Sequence, residues 1–154
     1  MTLPMREISV ERLSVADIEV ARALFATMTR VFATPAEALS DAYLTRLLDR
    51  DDFWALAAFV DGQMVGGLTA HTLPLTRAEV SEVFIYDIAV VPDWQRQGVG
   101  RQLMSTLRSQ AADAGIRAAF VPADNEDTHA LDFYRALGGV PAPVTIFTFG
   151  DSQS

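Results

Sequence analysis

Two groups of residues in this 154-residue sequence have the types and spacing to do chemistry. The first is Gln95-Arg96-Gln97-Gly98-Val99-Gly100-Arg101, which follows the apolar run "EVFIYDIAV" at residues 82–90. A loop between a buried strand and a helix leaves backbone N–H groups unpaired at the positive end of the helix dipole. Gly98 and Gly100 allow a ligand to approach the backbone closely, and Arg96 and Arg101 add positive charge. The ligand suited to such a loop is an anionic diphosphate. The spacing is not that of the dinucleotide fingerprint, because the third glycine position is occupied by Leu103. An ordinary strand-to-helix turn with solvated arginines is the competing reading of these residues alone.

The second group is acidic. Asp87 interrupts the apolar strand between Tyr86 and Ile88, where an unpartnered carboxylate is costly to bury and so is expected to have a task. Asp124, Glu126, Asp127 and Asp132 lie between Ala118 and Tyr134 with no arginine among them, a segment that would attract a polycation. Helix capping by Asp127 and plain solvation of the others is the alternative. His71 and His129 lack a matching carboxylate spacing, so neither a zinc site nor any other metal is expected. Trp94 is expected to pack beside the glycine loop.

Composition narrows the chemistry. The net charge is −8, and all 12 basic residues are arginine. Without lysine there is neither a phosphate loop of the Walker type nor a Schiff base. Without cysteine there is no disulfide, thiolate nucleophile or cysteine metal site. The acidity disfavours nucleic acid and favours cations, or serves solubility alone. No run approaches the ~18 apolar residues of a membrane span. The opening "MTLPMREISVERL" has no continuous apolar core, so a signal peptide is not expected and the cytoplasm is the default location.

The elements that must position these residues follow from periodicity. "EISVERL" alternates as a strand, and Ser14 caps a helix whose apolar Ile18, Leu24, Phe25, Met28 and Phe32 recur at helical spacing. Thr34, Pro35 and Glu37 read as the start of a second helix with a capping box. Asp61-Gly62 is a hairpin turn between two apolar runs. A long strand over "SEVFIYDIAVV" ends at Pro92. A helix over 97–114 turns Val99, Leu103, Met104, Leu107 and Ala111 inward. "RAAFVPA" is a strand, a helix runs from Asp127 to Gly138, and "PVTIFTF" closes the sheet. Hairpins combined with helical crossovers predict an α/β (α+β) domain with a mixed sheet and helices on both faces.

Gln95 to Gly100 matches the Q/R-x-x-G-x-G/A signature of the GNAT N-acetyltransferases, and "YDIAVVPDWQRQGVGRQLM" with "FYRALGG" resembles their cofactor-binding core. "SEVFIYDIAVV", "VPADNED" and "FYRALG" are most similar to the aminoglycoside 3-N-acetyltransferases, over residues 43 to 149. The resemblance implies one GNAT domain over residues 1–154 and a sheet of six to seven strands. It implies acetyl-CoA as cosubstrate, a small polycationic acceptor and a homodimer. Backbone groups of Ile88, Ala89 and Val90 would pair with the pantetheine arm. Residues Gln95, Arg96, Gln97, Gly98, Val99, Gly100 and Arg101 would hold the diphosphate.

By the same resemblance Tyr134 stands near the cofactor sulfur, where a phenol of pKa ~10 can protonate a thiolate whose acid has pKa ~8.5. Asp87 would hold the accepting ammonium and take its proton, and Asp124 and Asp127 would line the acceptor side. Glu82 is expected on the opposite face from Asp87 unless a bulge shifts the register. Rival readings are an acetyltransferase for polyamine or protein amino groups and a non-catalytic acetyl-CoA-binding regulator. A toxin acting on aminoacyl-tRNA would want a basic face.

Overall fold

The structure, a computed structural model, describes residues 7–151; residues 1–6, the start of the opening stretch, lie outside it. The chain divides into two compact units, Met1–Pro122 and Ala123–Ser154. Among the described residues no helix is long and apolar enough to cross a membrane.

The first unit is a five-stranded sheet in the order β1 (Ile8–Arg12), β2 (Phe53–Val60), β3 (Gln63–Pro74), β4 (Ser81–Val90), β5 (Ala118–Phe120). The first three pairings are antiparallel and β4–β5 is parallel, so the sheet is mixed as expected. Among the described residues five strands stand where six to seven were expected. The "PVTIFTF" segment forms no strand, and its Val144, Ile146, Phe147 and Phe149 are exposed. Alternating apolar residues make a strand only when a neighbour pairs their backbone groups.

The hairpin between β2 and β3 turns through Asp61 and Gly62, both with positive φ (51° and 76°), the conformation the Asp-Gly pair favours. Ser14 forms a capping box with Asp17 around a short 3-10 turn, and α1 (Ile18–Phe32) follows. The next helix, α2 (Asp41–Leu48), begins later than Thr34, Pro35 and Glu37 suggest. Ser40 is the residue that caps it, its Oγ accepting from the Tyr43 amide. Arg22 of α1 donates to the Leu39 carbonyl and pairs with Asp41, which fixes this start.

The helices cover both faces of the sheet. Ala21, Leu24 and Met28 of α1 and Leu48 of α2 bury against Phe53, Ala55, Ala57 and Ala89. The other face takes α3 (Val99–Asp113), which buries Val99, Leu103, Met104, Leu107 and Ala111 as its periodicity requires. Adjacent glycines in β3 permit both approaches. A methyl group on Gly67 would collide with Leu24, and one on Gly66 would stand 3.3 Å from a Val99 methyl. In the second unit, α4 (Thr128–Ala136) is capped by Asp127 and followed by Gly138 at φ 93°.

Candidate active site

The geometry of the site begins with β4. It pairs with β5 only over Glu82–Phe84, and among the described residues no strand pairs with Ile85–Val90 on that side. The sheet therefore opens beside this half of β4. The Val91 amide donates to the Val65 carbonyl at 3.0 Å, which makes residues 65 and 91 a hydrogen-bonded pair. Alternation along an antiparallel ladder then turns the backbone groups of Asp87 and Ala89 towards β3, and those of Ile88 and Val90 towards the opening. A methyl on Gly66 would stand 2.7 Å from the Ala89 carbonyl oxygen, in keeping with that direction. The expected trio of Ile88, Ala89 and Val90 thus narrows to Ile88 and Val90 at the open edge. The Gln95 side chain donates to the Val90 carbonyl at 3.0 Å.

A one-residue bulge lies in the same strand. Thr69 faces Asp87 while Ala70 faces Ile85, so Tyr86 is the extra residue. The partners of Glu82, Phe84, Asp87 and Ala89 are Leu73, His71, Thr69 and Gly67, all of odd number in a stretch of β3 that pairs with β2 without a register shift up to His71; the bulge of β3 itself lies outside it, at Val65. Glu82 and Asp87 consequently share one face of the sheet, contrary to plain alternation and in the manner a bulge allows.

Asp87 is half-buried, and burial pushes its carboxyl up from the ordinary aspartate range. Among the described residues it has no ion-pair partner. A partly desolvated carboxylate without a cation of its own is suited to receive an ammonium and, at the right moment, its proton.

The glycine loop follows β4 through a 3-10 turn, Pro92–Trp94, in which Trp94 is half-buried. Arg96 (φ 62°) and Gly98 (φ 89°) both adopt left-handed backbone, the kind that builds anion-holding concavities. The Gln97 side chain braces the loop by donating to the Asp93 carbonyl at 2.9 Å. The first helical bond of α3 runs from the Gln102 amide to the Gly98 carbonyl, so the amides of Val99, Gly100 and Arg101 precede the helical ladder. No side chain caps this end and no acid lies in its first turn, while Arg96 and Arg101 are exposed. Open strand edge and uncapped helix start together fit an extended amide-bearing arm ending in a diphosphate.

The remaining candidates belong to the second unit. Asp124 accepts from the Glu126 amide and Asp127 from the Ala130 amide, so both have local structural tasks while remaining exposed. Tyr134 is half-buried in α4, its ring 5.2 Å from that of Phe133. No group of three or more metal-capable side chains occurs among the described residues.

Reading from the sequence passed over a row of rings on the Asp87 face: Phe53, His71, Tyr86, Phe84 and Phe120, each 5.0–6.2 Å from the next. His71, which carries no expected metal role, is a member. The signal available was the density of aromatics around residue 86, but their common face depends on the bulge.

A fold of this topology, with an uncapped glycine loop after a strand that opens from its neighbour, is that of an acyl-CoA-dependent transferase. A model of the acetyltransferase (GNAT) family matches residues 19–138, and the chain belongs to that family. An aminoglycoside acetyltransferase from an uncultured soil metagenomic sample is 35% identical, over 95% of this chain and 99% of its own, with a TM-score of 0.88. Another from such a sample, solved in complex with sisomicin, is 30% identical over 93% and 95% of the two chains, also at 0.88. The [ribosomal protein bS18]-alanine N-acetyltransferase of Escherichia coli K12 is 31% identical over 64 residues; this chain spans only 43% of its length.

Proposed function

We propose that this acetyltransferase moves the acetyl group of acetyl-CoA to an amino group of an aminoglycoside, at the 3-amino position of the 2-deoxystreptamine ring, and so confers resistance. The observation that carries the reading is Asp87. It is an unpaired, half-buried carboxylate beside the open edge of β4, sharing its face with Glu82. Similarity at 30–35% identity to two aminoglycoside acetyltransferases, over nearly the whole chain, supports the same acceptor class.

Acetyl-CoA would supply the acetyl thioester. Ile88 and Val90 would bind its pantetheine arm through main-chain groups, and the amides of the Gln97–Arg101 loop, with Arg96, would bind its diphosphate. Asp87 holds the acceptor ammonium, accepts its proton and frees the lone pair for attack. Glu82 attracts a further ammonium group, and the acids of the second unit, Asp124 and Asp127, favour a polycation by their charge. The Tyr134 hydroxyl gives a proton to the departing sulfur, and the phenolate recovers the second N–H proton as the amide forms. The chain acts as one acetyltransferase domain.

A peptide amino terminus is the second reading, favoured by the 64-residue match to a ribosomal-protein alanine acetyltransferase. The deciding experiment follows CoA release with sisomicin, gentamicin, spermidine and a peptide beginning in alanine, then locates the new acetyl group by NMR. Turnover of the two drugs with acetyl on N3 is expected. Acetylation at another drug amine refutes the position, and transfer to the peptide alone refutes the acceptor class. Cofactor binding without transfer to any amine would make the chain a regulator.

A further inference from the structure

The mechanism above uses the carboxylates of the β4 face but leaves its most exposed aromatic unexplained. Tyr86 is 62% exposed. It is the bulged residue, and its ring lies 5.7 Å from Phe84 and 6.2 Å from His71, at steep interplanar angles of 83° and 75°. Phe84 and His71 both lie on the Asp87 face, so the bulge has carried the Tyr86 side chain there too. In a regular strand residues 86 and 87 would point to opposite faces. Here two consecutive residues, a phenol ring and a carboxylate, serve one surface.

The ring is held in place without being covered. Edge-on packing against Phe84 and His71 fixes its orientation, and Phe84 is backed in turn by Phe120. A fixed, solvent-facing ring beside an unpaired carboxylate has two complementary binding modes. The π-face attracts a cation and packs against C–H bonds, while the carboxylate takes the ammonium itself. An aminocyclitol offers both partners, a ring of C–H bonds bearing ammonium groups. A flexible polyamine carries C–H bonds too, but its chain must be ordered at an entropic cost before it can present them to the ring.

We infer that Tyr86 is a specificity-determining residue of the acceptor site, its ring packing against the aminoglycoside ring whose amine Asp87 receives. The inference rests on the proposed acceptor class. It does not involve Tyr86 in proton transfer, so its removal should weaken acceptor binding and spare the chemical step.

The test compares the parent with Tyr86→Leu, which keeps apolar bulk without a π-face, and Tyr86→Phe, which keeps the ring. Kinetics with sisomicin and calorimetry of sisomicin in the presence of CoA are read alongside acetyl-CoA affinity and the melting temperature. Tyr86→Leu should raise the sisomicin KM and Kd roughly tenfold, the scale of a partly desolvated ring contact with a cation, at nearly unchanged kcat. Tyr86→Phe should restore both constants. Acetyl-CoA affinity should match the parent in both variants, and the melting temperature should fall by no more than about 2–6 °C in Tyr86→Leu, which gives up the edge-on contacts with Phe84 and His71. A Leu variant with the parental KM overturns the inference, and so does a Phe variant as impaired as Leu, which would assign the effect to the hydroxyl. If the parent itself transfers acetyl to no aminoglycoside, the proposed function and this inference fall together. An active parent with an indifferent residue 86 removes the inference alone.

Discussion

Gly98 offers a way to separate the loop's role in binding from its role in folding. Its φ of 89° lies in the left-handed region, and a methyl group built there meets no other atom within 4 Å. Gly98→Ala therefore meets no collision inside the protein; the cost to the fold is backbone strain. For an L-residue that strain is about 1–2 kcal/mol, which in a chain of this size lowers the melting temperature by about 2–8 °C. Gly62 supplies the control. It has φ 76° and equally open space, but it sits in the β2–β3 hairpin. Gly62→Ala should lower the melting temperature by a similar amount. The two variants should part in calorimetry with acetyl-CoA. Gly62→Ala should bind as the parent does, whereas a methyl in front of the Val99–Arg101 amides should hold the diphosphate off. Loss of one charge-assisted hydrogen bond then weakens affinity about ten- to a hundredfold. Equal acetyl-CoA affinity in both variants would refute the assignment of the loop.

Asp87→Asn should leave acetyl-CoA binding intact, weaken aminoglycoside binding and reduce turnover ~10²–10⁴-fold, as loss of a positioned base implies. The same variant should be the more stable protein at neutral pH. Burial raises the Asp87 pKa, so its favourable share of stability is complete below the unfolded pKa and is lost as pH rises through the folded value. Melting curves should show the gap between variant and parent opening with rising pH over that window, and a gap independent of pH would contradict it. Tyr134→Phe should lower kcat more than it raises the aminoglycoside KM; parental turnover at every pH would assign sulfur protonation to water. Acetyl-CoA affinity should fall with added salt, because Arg96, Arg101 and the acid-free first turn of α3 lie within a Debye length of ~10 Å. Were the net charge of −8 in control, salt would screen a repulsion and affinity would rise.

What could be read from the sequence was whatever local chemistry decides. The Asp61-Gly62 turn, the Asp127 cap and the inward row of α3 depend on a few neighbouring residues, and each stands as its pattern requires. The glycine turn that opens α3, with Gly98 in left-handed backbone, was legible for the same reason. Features decided by distant partners were not. Thr34, Pro35 and Glu37 satisfy a helix-start pattern, yet α2 begins at Asp41, because Ser40 caps it and Arg22 from α1 binds at that point. "RAAFVPA" shortens to Ala118–Phe120, its paired length being set by the few residues of β4 that lie alongside. The Tyr86 bulge belongs to the same class. It exists only in the register between β3 and β4, which no window along β4 contains.

On the proposed function, that bulge would let one strand serve two ligands of opposite charge. Backbone groups of a strand lie in the sheet plane and side chains stand out of it, so an open edge and an exposed face are independent surfaces. Ile88 and Val90 would use the edge, where the adjoining loop and helix start offer N–H groups and arginines to an anion. Asp87 and Glu82 would use the face, where, among the described residues, neither carboxylate has an ion-pair partner. In a strictly alternating strand of this sequence, residues 82 and 87 would lie on opposite faces, and one of them would point towards the α3 side. Inserting Tyr86 as an unpaired residue resets the phase between them. The acids then gather on one face while the backbone of residues 88–90 keeps the phase that directs Ile88 and Val90 outward. The cost is one interrupted rung of the ladder, located where the sheet is already parting from β5.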